Sequence, residues 1–144
     1  LPHPLKKDKN LNFSFSGIKT ATSLIIQKQK KFDEFFISNI AASFQKTVAD
    51  ILKTKLDITY KYLKSKKINI SQIALVGGVA ANKYIYNKIK ICAKMNNCEV
   101  ILPIDNMLSD NAAMIGWACI QKTYLKNFSN IHFNADPRLK AFDL

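Results

Sequence analysis

Residues 72–102 constrain the fold more than any other part of this sequence. Gln72-Ile73-Ala74-Leu75-Val76 is a short apolar run of the kind that forms a strand inside a sheet. Gly77-Gly78 ends the run, residues 79–94 carry helical spacing, and Glu99-Val100-Ile101-Leu102 reads as a second strand stopped by Pro103. Strand, helix and strand in that order predict a right-handed parallel crossover. A parallel sheet is normally covered on both faces and has more than two strands. The sequence offers these two clear strands and one more candidate at 12–15, so either further strands are hidden in the pattern or they are supplied from outside the chain, which would leave the sheet incomplete.

The rest of the pattern is helical. Phe13-Ser14-Phe15-Ser16 alternates with period two and Gly17 breaks it. Residues 18–30 then place Ile18, Ala21, Leu24 and Ile25 at helical spacing, with Ser14 or Ser16 as the expected cap and the two phenylalanines as expected core. Residues 33–66 form a long amphipathic stretch in which Ile37, Ile40, Ala41, Phe44, Val48, Ile51 and Leu52 make one apolar face. Asp33 and Glu34 at its start, and Lys64, Lys66 and Lys67 near its end, complement the helix dipole. A last helix is expected over 109–125, followed by an irregular tail. The class is α/β, one domain over residues 1–144.

Charge narrows the partners. Lys and Arg number 22 against 10 Asp and Glu, a formal charge of +12. That excess fits a polyanion such as RNA, and it fits equally a solvated basic surface in a Lys-, Asn- and Ile-rich chain. Cys92, Cys98 and Cys119 form no CxxC pair, so neither a zinc site nor a disulfide framework is expected, and reduced cytoplasmic thiols are the plain reading. No segment is apolar for long enough to span a membrane. The start, Leu1-Pro2-His3-Pro4, is no signal peptide and lacks Met, which suggests a fragment, a processed product or a gene remnant.

Three segments carry possible chemistry. In Ala74-Leu75-Val76-Gly77-Gly78-Val79-Ala80-Ala81-Asn82, Gly77 and Gly78 let a ligand approach the backbone, and Asn82 offers a side-chain amide to a ribose or base. The same residues also make an ordinary strand-to-helix turn. In Ser109-Asp110-Asn111-Ala112-Ala113-Met114-Ile115-Gly116, Asp110 is expected in the first turn of a helix, where a carboxylate can bind a divalent cation or simply complete the helix start, with Ser109 as its cap. In Ser14-Phe15-Ser16-Gly17-Ile18-Lys19-Thr20, two serines and a lysine suit phosphate, or a capped helix. His3 and His132 have no partner at metal-ligand spacing.

Taken together and in order, these segments resemble the TsaD (Gcp/YgjD) family of tRNA N6-adenosine threonylcarbamoyltransferases. Asn12 to Thr20 is similar to the family's DFSFSGLKT segment, Ile40 to Gln45 to its IAASFQ helix, and Val76 to Asn82 to its GGVAAN nucleotide motif. Ser109 to Ile115 is similar to its TDNAAMI motif, and Pro137-Arg138 to its terminal RPR element. The resemblance implies the C-terminal lobe of an actin-like ATPase fold (ASKHA, ribonuclease-H-like), with an incomplete parallel or mixed sheet and several helices. It implies transfer of threonylcarbamoyl from threonylcarbamoyl-AMP to N6 of adenosine 37 in ANN-reading tRNAs. Asn82, Gly77 and Gly78 would then contact the adenylate, and Asp110 would be one ligand of an Fe2+ or Zn2+ ion.

The same resemblance implies what is missing. The family's other metal ligands, two histidines of an HxxxH motif, and its SGG phosphate loop belong to an N-terminal lobe this sequence does not contain. One carboxylate does not hold a catalytic metal. This half is therefore expected to be inactive alone, to need the missing lobe and a TsaB-like partner, and to be poorly soluble unless it dimerises. Leu108 stands where the family usually has Cys, and Lys83 where Arg is common. The alternatives are a non-catalytic remnant or partner-binding lobe, and the family's older label of sialoglycoprotein endopeptidase, a metalloprotease.

Overall fold

A long helix organises the first part of the chain. In the computed structural model, which describes residues 1–3, 11–104, 107–128 and 132, the chain divides into two compact units, Leu1–Ser109 and Asp110–Leu144. Helix α2 spans Glu34–Ser65. Asp33 caps it by accepting from the Phe36 N–H at 2.8 Å, as its position before an acidic first turn predicts. Lys46–Asp50 and Lys53–Asp57 pair at i,i+4 along it, at 2.6 and 2.7 Å. Only part of the expected apolar face is covered. Ile51 is buried and Val48 and Leu52 are half-buried, whereas Ile37 and Ala41 are exposed near the N-terminal end.

The two expected strands pair in parallel with a helix between them. Strand β1 (Gln72–Ala74), helix α3 (Lys83–Met95) and strand β2 (Glu99–Ile101) make a two-stranded parallel sheet with Ile73 opposite Val100. Both strands are shorter than their apolar runs, although Leu75 N–H still donates to Ile101 O at 3.0 Å. Ile73 and Val100 face inward and pack against a core of Ala49, Ile85 and Ile89, and another of Tyr60, Cys92, Ala93 and Cys98. On the other face Gln72, Ala74, Glu99 and Ile101 are exposed. Among the described residues of the first unit the sheet is therefore covered on one side only, unusual for parallel strands.

Three expectations are corrected. Residues 12–15 form no strand, because no described strand lies beside them to pair. Helix α1 starts earlier than expected, at Ser16, and runs to Lys28; its N-cap is Phe15, with no side-chain cap bond. Ser16 is already helical, and Ser14 lies 3.4 Å from the Ser16 hydroxyl rather than on a backbone amide. Phe13 and Phe15 are exposed and stack on each other at 6.1 Å, while Ile18 alone anchors α1 in the core. In the second unit, α4 (Ala112–Tyr124) follows its Asn111 cap and has no buried residue.

Candidate functional site

The sequence motif at 76–82 turns more tightly than a single helix start would. Gly77 sits at φ 91°, a left-handed region that side chains rarely adopt, which explains a glycine there. No atom lies within 4 Å of where a Cβ would stand at Gly77 or Gly78, so the turn is open to a ligand. One 3-10 turn, Gly78–Ala81, follows, held by Ala80 N–H to Gly77 O at 2.9 Å and Asn82 N–H to Val79 O at 3.0 Å. The expected continuous helix from 79 is thus split, because Asn82 begins a new one.

Asn82 does two jobs. Its Oδ1 accepts from the N–H groups of Tyr84 and Ile85, at 3.0 and 3.1 Å, and so caps α3. Its Nδ2 donates to Gln45 Oε1 at 3.0 Å. The N–H groups of Tyr84, Ile85 and Tyr86 are satisfied by Asn82, and the second Nδ2 proton of Asn82 is left for a ligand. Gln45 ends the IAASFQ segment on α2, 37 residues away, so this bond ties two sequence motifs together. Sequence reasoning gave Gln45 no role. The available signals were a polar residue beside Phe44 in the middle of an apolar face and its place at the end of the IAASFQ segment.

Beside Asn82 lies an apolar cleft of about 590 Å³. Phe44, Val48 and Leu52 from α2 and Leu75 beyond β1 line it, with Gly78 and Val79 from the turn. Phe15 and Lys19 join them from the Ser14–Thr20 segment, whose two serines are not among the lining residues. The size lies within the range of small-molecule pockets, and so does the chemistry, mostly apolar with a few polar groups. Lys19 brings a cation and Asn82 an amide.

Asp110 is exposed and belongs to the second unit. It stands one residue before the helix cap rather than in the first turn, because Asn111 is the residue whose Oδ1 accepts from Met114 N–H, at 3.1 Å. The cap is Asn111 and not Ser109. Among the described residues no three His, Cys, Asp or Glu side chains form a group able to hold a metal ion. Asp110 by itself does not fit a metal centre; any remaining ligands would have to come from outside the described residues. Pro137-Arg138 also lies outside them. No helix among the described residues is long and apolar enough to cross a membrane.

Comparison with known proteins agrees with these motifs. The family model for TsaD, tRNA N6-adenosine threonylcarbamoyltransferase, matches residues 1–117. The chain is similar to the tRNA N6-adenosine threonylcarbamoyltransferase of Ehrlichia ruminantium (strain Welgevonden), 41% identical over 138 residues that cover 96% of this chain and 40% of the relative. The protein of that name from Anaplasma marginale (strain St. Maries) is 37% identical over 130 residues, covering 90% of this chain and 38% of the relative. That of Rickettsia rickettsii (strain Sheila Smith) is 35% identical over 145 residues, covering 99% of this chain and 42% of the relative. The chain spans about two fifths of the length of the curated relatives it matches.

Proposed function

Because this chain belongs to the tRNA N6-adenosine threonylcarbamoyltransferase family, we propose that it forms the adenylate-facing lobe of an enzyme that modifies tRNA. In this reading the threonylcarbamoyl group passes from threonylcarbamoyl-AMP to N6 of adenosine 37 in ANN-reading tRNAs. The observation that supports it best is convergence. Residues from three separated motifs, Phe15 and Lys19, Phe44, and Gly78 with Asn82, line one cleft of about 590 Å³. The apolar floor suits a purine, the open glycine turn allows a phosphate or ribose to approach the backbone, and the second Asn82 Nδ2 proton can hydrogen-bond the adenylate. Gln45 holds that amide in place.

The reading carries several further proposals. Asp110 would contribute one ligand to a divalent metal, Fe2+ or Zn2+, completed by groups outside the described residues. The part of the relatives that this chain does not span would supply the second lobe, and a TsaB-like protein would be a partner. The location would be cytoplasmic, with the tRNA. A non-catalytic lobe that only binds those partners is the alternative, favoured by the lack of a complete ligand group among the described residues.

Asn82→Asp is the sharpest test. Aspartate keeps the oxygen that caps α3 and loses the amide donor. The chain, supplied with the remaining part of a relative, is assayed for threonylcarbamoyl transfer to tRNA by mass spectrometry of nucleosides. Asn82→Asp is expected to lower transfer at least about tenfold, as loss of a hydrogen bond to a ligand implies, while lowering the thermal midpoint of the chain less than Asn82→Ala does, since the α3 cap is kept and only the bond to Gln45 is lost. Transfer at the unsubstituted rate would remove Asn82 from the adenylate site. No transfer by the unsubstituted pair would leave the partner-binding alternative.

A further inference from the structure

We propose that the outward face of α3 is a track for the sugar–phosphate backbone of RNA, with Lys83, Lys90 and Lys94 as its phosphate contacts. This rests on the tRNA reading above and gives that partner a surface. Helix α3 buries Ile85, Ile89, Cys92 and Ala93 on one side. On the opposite side Lys83, Asn87, Lys90 and Lys94 follow one another at i, i+4, i+7 and i+11, and all four are exposed. That row is about 16 Å long, roughly five nucleotides of stacked strand.

Lysine-rich composition does not account for this row. Two of the five lysines of α2 are answered by acids of the same helix, Lys46 by Asp50 and Lys53 by Asp57. Helix α3 contains four lysines and no acidic residue. Its fourth lysine, Lys88, lies off the row, over the Tyr84 ring at 5.7 Å and near enough to Asp50 to lower that carboxyl. The three lysines of the row have no carboxylate in their own helix, and Lys90 rests over the Tyr86 ring at 5.6 Å, which limits its wandering. Exposed Ile91 and Met95 run along one flank and offer an apolar contact to a sugar or base. A row of cations with amide and apolar neighbours suits a polyanion whose charge repeats along a line.

The test is a titration of the full chain with tRNA at several salt concentrations. Lys83→Gln/Lys90→Gln/Lys94→Gln is compared with Lys46→Gln/Lys53→Gln/Lys61→Gln, which removes the same charge from α2. The row variant is expected to weaken binding by about 10- to 100-fold at 0.1 M salt and to lower the slope of log K against log salt by about 2 to 3. Its thermal midpoint should not move, since these side chains are exposed. Equal losses in the two variants, or an unchanged slope in the row variant, would overturn the proposal and leave the tRNA reading intact. So would binding to phosphatidylserine vesicles that is as tight as binding to tRNA and lost to the same extent. If the unsubstituted chain binds no tRNA, the track falls, and the transfer assay above decides the reading beneath it.

Discussion

Helices α3 and α4 are equal in length, 13 residues each, and opposite in environment. Both begin on an asparagine whose side-chain oxygen accepts backbone N–H groups, Asn82 for α3 and Asn111 for α4. Helix α3 then buries four residues along one stripe, whereas α4 buries none. The more apolar sequence is the exposed one. In α4, Ala112 to Tyr124 includes Met114, Ile115, Trp117 and Ile120, all exposed, and only one charge, Lys122. A helix apolar on most sides is built to be surrounded, and a helix with one apolar stripe needs only one partner. Capping is a local property that each sequence satisfies alone. Burial needs material from elsewhere, and this chain spans about two fifths of its relatives.

The largest expected difference is in thiol reactivity. Cys92 on α3 is 1% exposed and donates to Asp57 Oδ1 at 3.1 Å; Cys119 on α4 is exposed. Burial first, and then the Asp57 carboxylate, push the Cys92 thiol from 9.0 up to about 12. At pH 8 its thiolate fraction falls about a thousandfold below that of an ordinary cysteine. Iodoacetamide followed by mass spectrometry should therefore label exposed Cys119 far faster than buried Cys92. The same shift sets a stability window. Its contribution is complete below the unfolded value of 9.0 and is lost as pH rises towards about 12. Equal labelling would mean that α3 is as open as α4.

Next in size is packing. Ile89 on α3 is 5% exposed and Ile115 on α4 is 72% exposed. Ile89→Ala should cost about 2 to 4 kcal/mol in urea unfolding, through lost burial and the cavity left behind. Ile115→Ala should stay within about 0.5 kcal/mol. A large cost at Ile115 would show that α4 is covered in solution, for instance by a second copy of the chain.

Sequence pattern announced what depends on neighbours in the chain and missed what depends on distant ones. The four helices, both strands and their parallel crossover follow from apolar spacing, and each formed. The failures share one cause. Residues 12–15 alternate like a strand but find no strand among the described residues to pair with, and Phe13 and Phe15 look like core but stay exposed. Ile37 continues an apolar face that nothing described covers. Beside the cleft, the turn at Gly77 and Gly78 and the Asn82 helix start were legible, since glycine and a capping residue act locally. Gln45 was not, because its partner lies 37 residues away. Asp110 lies before the helix rather than in its first turn, the cap falling two residues later than Ser109, since Ser109, Asp110 and Asn111 are all good caps and only the backbone selects among them.

The smallest expected effect separates the two caps. Asn82 holds two amides and Gln45; Asn111 accepts from one amide in α4. Removal of a side-chain cap costs about 0.5 to 2 kcal/mol. Asn82 is half-buried and its loss also strands the Gln45 amide, so Asn82→Ala belongs near the upper end, about 1.5 to 2 kcal/mol. The bond from Met114 N–H to Asn111 is exposed, and water can replace it, so Asn111→Ala belongs near about 0.5 kcal/mol. Asn82→Asp should restore most of the first loss, because aspartate caps as well as asparagine, and Gln45→Ala should cost less than Asn82→Ala. If Gln45→Ala proves as costly as Asn82→Ala, the bond between the two motifs, rather than the cap, is what holds α3 against α2.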